Sequence, residues 1–203
     1  GADDDGDGRT DEGLWCRMSP GPASYDANTV WGTSAVDVWV GGGGGAIDHW
    51  DGDNWAQLCA GRRAEIEAFW GSSADDVWAV GTADQDSEHA LLHWDGCSWS
   101  VASTGRPPWA LHDVWGSSAD DVWAVGSDSR ALHWDGAAWT GTRLSSRSWD
   151  ENRAVWGFGP DDVWVGSNVG IRGEMLHWDG TAWTSTVGMD GWSIDDVWGA
   201  SPD

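Results

Sequence analysis

No lysine occurs anywhere in this chain; its ten basic residues are all arginine, set against 34 acidic ones. The formal net charge of -24 repels phosphate backbones and anionic lipid. Nucleic acid is therefore not an expected partner. Cysteine is scarce: Cys16, Cys59 and Cys97 match no zinc spacing and no CxxC pair. The odd count implies one disulfide with a free thiol, or a partner outside the chain; the pairing expected within it is Cys16–Cys59, both in strands assigned to an outer rim. No run of about 18 apolar residues exists, so no transmembrane segment is expected. No signal peptide is visible. Apolar spacing at i, i+3, i+4 is not sustained, which argues against helices. GxSxG, HExxH, P-loop and Cys–His signatures are all missing, so the chain is not expected to be an enzyme. Paired carboxylates are too common here to single out a glycosidase pair.

Aromatics other than tryptophan are almost missing as well, with one Tyr and two Phe beside 21 Trp. Repeated use of one side-chain shape implies equivalent places in a repeat. The stretch Val114 to Gly126, VWGSSADDVWAVG, has a near-copy at Phe69 to Gly81 and weaker copies from Val30 and Val155. A last copy, VWGASPD, begins at Val197. The first Trp of each unit is Trp31, Trp70, Trp115, Trp156 and Trp198, a period of about 42 residues. Each full unit carries four such positions; in the third they are Trp115, Trp123, Trp134 and Trp139.

The third unit reads as four short strands: about Leu111 to Gly116, Asp121 to Gly126, Ala131 to Asp135, and from Trp139 to about Leu144. Polar, small residues separate them, and Asp135–Gly136 opens the last hairpin. The second strand is apolar on both faces, Val122 and Ala124 on one, Trp123 and Val125 on the other. Such a sheet is sandwiched between neighbours. The expected fold is all-β: a β-propeller of four-stranded antiparallel blades, with four complete repeats and part of a fifth. Residues 14–203 form it, with repeats starting near 30, 69, 114, 155 and 197. Tryptophan rings are expected to fill the wedges between blades.

The pieces VWGSS, DDVWAVG and LHWDG..W resemble the Trp-rich repeat of secreted bacterial β-propellers. Their layout is also similar to WD-repeat and tachylectin-like propellers. These resemblances imply a secreted or cell-surface recognition platform and not an enzyme. Fold alone does not decide the ligand.

Residues 1–13 form a separate acidic arm, with Asp3, Asp5, Asp7 and Asp11 spaced about Gly8. Alternating carboxylates and a turn-permitting Gly suit Ca²⁺. The segment resembles a thrombospondin type 3 calcium motif and the first half of an EF-hand loop, but Leu14 stands where the EF-hand has Glu. A disordered acidic linker has the same composition. Calcium is the one cofactor expected.

Tyr25, Trp109, Trp149 and Trp192 precede the first Trp of their units by six or seven residues. They fall in connections between blades, where a rigid scaffold carries its function. They are the expected ligand-binding residues for glycan, with gap-filling between blades as the alternative. His49, His93, His133 and His177 recur in H-W-D-G, and with Asp37, Asp76, Asp121 and Asp162 they are expected to order turns and strand ends. The ends do not complete a fifth blade: the chain starts with an outermost strand and stops after an innermost one. The expectation is a piece of a longer propeller; an open ring, or one closed by another molecule, is the alternative. An open edge would let the chain bind surface proteins or assemble as a homo-oligomer.

Overall fold

The computed structural model describes residues 25–59, 64–83, 90–104, 110–144 and 150–200. They form four antiparallel sheets of four strands, each in simple chain order. The first blade holds β1 (Ala27–Ser34), β2 (Asp37–Gly42), β3 (Ala46–Trp50) and β4 (Trp55–Cys59); the second holds β5 (Ala64–Ser73), β6 (Asp76–Ala83), β7 (Ala90–Trp94) and β8 (Trp99–Val101). The third holds β9 (Leu111–Ser118), β10 (Asp121–Gly126), β11 (Arg130–Trp134) and β12 (Trp139–Arg143); the fourth holds β13 (Glu151–Gly159), β14 (Asp162–Val169), β15 (Arg172–Trp178) and β16 (Trp183–Asp190). First strands pack on one another, β1 on β5, β5 on β9 and β9 on β13, so they line the inner side where the blades converge. The chain is an all-β propeller.

Sequence explains the local turns. Asp135 Oδ1 accepts the backbone N–H of Ala137 at 3.0 Å and of Ala138 at 2.8 Å. Gly136 between them takes φ of 85°, a conformation costly for any residue with a Cβ. The same turn recurs at Asp51, Asp95 and Asp179. Register then aligns Trp115, Trp123, His133 and Thr140 in one row across the third sheet.

The tryptophans join blade to blade in one direction. The second-strand Trp of each blade meets the third- and fourth-strand Trp of the next. Trp39 lies edge-on to Trp94 and Trp99, with centroids 5.3 and 5.4 Å away. Trp78 meets Trp134 and Trp139 at 5.5 and 4.9 Å, and Trp123 meets Trp178 and Trp183 at 5.7 and 5.3 Å. Trp39, Trp78 and Trp123 are buried. Each such ring contributes roughly 4–6 kcal/mol of apolar burial before ordering entropy is set against it. Nearer the axis, the first-strand Trp of one blade rests on the Gly that follows its counterpart in the next: Trp31 on Gly71, Trp70 on Gly116, Trp115 on Gly157.

Among the described residues no strand packs on the face of the first blade turned away from the second. Val30 is 68% exposed, whereas its counterparts Phe69, Val114 and Val155 are 6%, 4% and 2% exposed. Beyond the fourth blade, the segment 192–200 lies along β14 and β15. Asn168 donates to the Ile194 carbonyl at 3.0 Å and accepts the Ile194 N–H at 2.7 Å. The Ile194 side chain seats over Gly166 and Gly173.

Candidate functional site

Two ends of the propeller differ in kind. At one, the turn after the first strand meets the turn after the third, and the described charged groups there are Asp residues: Asp120 beside Gly136, Asp161 beside Gly180. At the other, the hairpins between second and third strands meet the connections entering each blade. Gly43 N–H donates to the Asp26 carbonyl at 3.1 Å, and Ser127 N–H to Ala110 at 3.1 Å. Ser129 N–H reaches Asp150 at 2.9 Å, and Gly191 N–H reaches Ile171 at 3.1 Å. This hairpin end holds the four described arginines, Arg130, Arg143, Arg153 and Arg172.

Of the expected aromatic set, the described members Tyr25 and Trp192 belong to this end but not to one place. Tyr25 is half-buried, its ring over Gly42 and its hydroxyl donating to the Val40 carbonyl at 3.2 Å. Burial, with the charge of Asp48 beside it, pushes the phenol above its ordinary range. Trp192 stands past the opposite end of the array and is 72% exposed. Among the described tryptophans only Trp192 and Trp198 are strongly exposed, and Trp198 belongs to the interblade series. Trp109 and Trp149 lie outside the described residues, as do Asp3, Asp5, Asp7 and Asp11 of the expected calcium site and Cys16 of the expected disulfide. Cys97 is exposed and free.

No residue pattern pointed to what stands beside Trp192. Ile171, at the tip of the hairpin between β14 and β15, is 84% exposed. The Gly191–Ile171 hydrogen bond sets the backbones that carry the two side chains next to each other, and Arg172 and Asp190, the neighbours of Ile171 and Gly191 in sequence, form an exposed ion pair. An aromatic ring, an aliphatic side chain and a charged pair thus share one exposed corner.

The repeated histidines have another role. His49, His93, His133 and His177 bond the Asp that opens the second strand, at 2.7, 2.6, 2.6 and 2.8 Å. Each ring also stacks on the second-strand Trp, with centroids 4.0 to 4.3 Å apart. Thr33, Ser72 and Ser117 donate to the same Asp in the first three blades, and Phe158 replaces the hydroxyl in the fourth. These are scaffold networks, one inside each blade. Among the described residues, no group of three or more His, Cys, Asp or Glu is placed to hold a metal.

A second cluster lies at the hairpin end near the axis. His112 of β9 faces a carboxylate at each ring nitrogen: Glu67 of β5 at 2.7 Å from Nδ1, and Glu151 of β13 at 2.8 Å from Nε2. Thr82 donates to Glu67 at 2.7 Å, and Ser127 donates to Glu151 at 3.1 Å. Beside it, Asp113 accepts the N–H of Val114 at 2.9 Å and, across the blade boundary, that of Val155 at 2.8 Å. Burial, with the charge of Asp196 adding to it, pushes the Asp113 carboxyl up to about 7. Glu151 stands five residues before Trp156, outside the phase of the other two, whereas the signal for Glu67 and His112 sits three residues before each first Trp. Asn28, Glu67, His112, Arg153 and Asp195 occupy that position, polar in every unit and never the same.

Solved β-propellers share the fold. An ancestral GH74 enzyme matches 79% of this chain and 25% of its own, at 14% identity and a TM-score of 0.61. YCF48 bound to D1 peptide matches 87% of this chain and 58% of its own, at 15% identity and a TM-score of 0.62. The computationally designed Ika8 protein matches 87% of this chain and 53% of its own, at 15% identity and a TM-score of 0.64. The chain spans less than two thirds of the length of each. No family model and no curated protein sequence matches it. Among the described residues no helix is long and apolar enough to cross a membrane.

Proposed function

We propose that this chain is a non-enzymatic recognition module of the cell exterior whose hairpin end binds carbohydrate. The observation that carries this reading is Trp192, strongly exposed beside Ile171 on a scaffold that keeps its other described tryptophans, Trp198 apart, buried or half-buried. An exposed indole offers a flat apolar face to the C–H side of a sugar ring, and Arg172 and Asp190 supply donor and acceptor groups for hydroxyls. Trp109 and Trp149 hold the equivalent place in their units, so weak single sites would gain by multivalency. Tyr25 contributes less, because its hydroxyl is already engaged. The test is a glycan array followed by Trp192→Ala, Trp109→Ala and Trp149→Ala. Hits that weaken at least tenfold in the variants support the reading; an array without hits ends it.

A second reading is a surface protein that binds protein partners or further copies through the face of the first blade turned away from the second. Val30, strongly exposed where its counterparts are buried, favours it, and YCF48 with its D1 peptide is a protein-binding propeller of like fold. A mass independent of concentration, with no change on Val30→Asp, would count against assembly. Calcium ordering of the arm by Asp3, Asp5, Asp7 and Asp11 belongs to either reading. A calorimetric titration without Ca²⁺ uptake removes it.

A further inference from the structure

We infer that His112 is a proton-operated clip that ties the second, third and fourth blades together at the axial end and lets go when the imidazole loses its proton. Both ring nitrogens face carboxylate oxygens at hydrogen-bond distance, 2.7 Å to Glu67 and 2.8 Å to Glu151. A neutral imidazole has one N–H and one lone pair, so it satisfies only one of two carboxylates. The doubly protonated ring donates to both. The three residues come from three successive inner strands, and no other described histidine bridges two blades in this way.

The surroundings make the clip a switch. On β5 Glu67 faces the ring, held by Thr82 of β6. On β13 Glu151 faces it, and Arg153 of the same strand opposes its charge. From β10, Ser127 Oγ lies 3.4 Å from Nε2 and bonds Glu151. On its own strand Asp113 is the neighbour, itself under the charge of Asp196. Burial pulls the His112 pKa down, and the bonds and charge of Glu67, with the bond of Glu151, outweigh it; the net direction is up. Glu67 moves the other way: burial raises it, and His112 and Thr82 bring it below the usual carboxylate range.

The sign follows from linkage. A raised histidine pKa contributes stability that is fully present below the unfolded value of about 6.5 and is lost as pH rises through the folded value. Above it, one of the two ring nitrogens offers a lone pair to the carboxylate it faces, and that contact turns repulsive. The blades then lose a shared fastening at the end proposed to bind ligand.

Imidazole resonances of the intact chain, followed by NMR from pH 5 to 9, test this. His112 should titrate above the ordinary histidine value, and Glu151→Gln should lower its midpoint measurably. Melting temperature should fall with pH across the His112 midpoint in the parent, and that component should vanish in His112→Gln. If His112→Gln does not fold, the Glu151→Gln and Glu67→Gln shifts of the His112 midpoint decide. A midpoint at or below the ordinary value, or one unmoved by both glutamate variants, overturns the inference.

Discussion

Trp70 of the second blade closes so tightly on Gly116 of the third that a Cβ added at Gly116 would stand 2.6 Å from the ring's Cη2. The VWG tripeptide is thus half of a joint whose other half lies one unit earlier in the chain. Trp115 and Gly157 make the same joint, also at 2.6 Å.

Gly116→Ala should therefore destabilise the chain by about 1–3 kcal/mol, the usual cost of an overpacked core. At this size that lowers the melting temperature by about 2–4 °C per kcal/mol. Gly159→Ala is the control, since a Cβ there meets nothing within 4 Å. Its effect should stay within about 0.5 kcal/mol. Paired thermal melts check both.

Trp123 is buried, stacked on His133 at 4.1 Å and edge-on to Trp183 at 5.3 Å. Trp123→Ala should cost about 3–5 kcal/mol in denaturant unfolding. Trp164 stacks on its own His177 at 4.1 Å but is only half-buried. Trp164→Ala should cost roughly 2 kcal/mol less than Trp123→Ala. Equal losses at the two positions would refute the directional joint.

Asp121 sets the acid limit of the third blade. Burial works to raise its pKa, and the bonds from His133 and Ser117 outweigh it, so the net direction is down. A depressed carboxylate contributes stability present above its unfolded value of about 3.9 and lost as pH falls through the lower folded value. Asp37 behaves alike through Thr33 and His49. The melting temperature should fall as pH drops below about 4. Asp121→Asn should flatten part of that fall while lowering stability at neutral pH.

Exposure of Trp192 predicts separable effects on stability and binding. Trp192→Ala should change unfolding free energy by no more than about 0.5 kcal/mol. A larger loss of stability would show that the ring packs as scaffold, and the carbohydrate reading would lose its anchor.

Much of the fold was legible because the repeat is local. Trp spacing gave the phase, and Asp135–Gly136 marked the last hairpin before any strand was seen. The doubly apolar second strand, Val122 to Val125, announced a neighbour on each face, and all four residues are buried. The site was less legible. Glu67, His112 and Glu151 are 45 and 39 residues apart, and only the blade stagger brings them together. Their residue types differ from unit to unit, so a search for recurrence passes over them. Variation at a fixed phase was the available signal for Glu67 and His112; Glu151, two residues out of that phase, had none. Ile171 gave none, since a lone isoleucine in a hairpin is unremarkable until Trp192 is seen next to it.

The joint between blades also has a sense, like cups in a stack: each unit hands its rings forward and receives those of the unit behind. Any unit can therefore follow any other without a new interface being invented. Removing one whole period, from Trp31–Gly32 to Trp70–Gly71, would set Trp31 over Gly116 as it now sits over Gly71. Growth or shortening of such a chain by unequal exchange needs no repair at the seam. The residues that resist interchange are the few, His112 foremost, that belong to one unit alone.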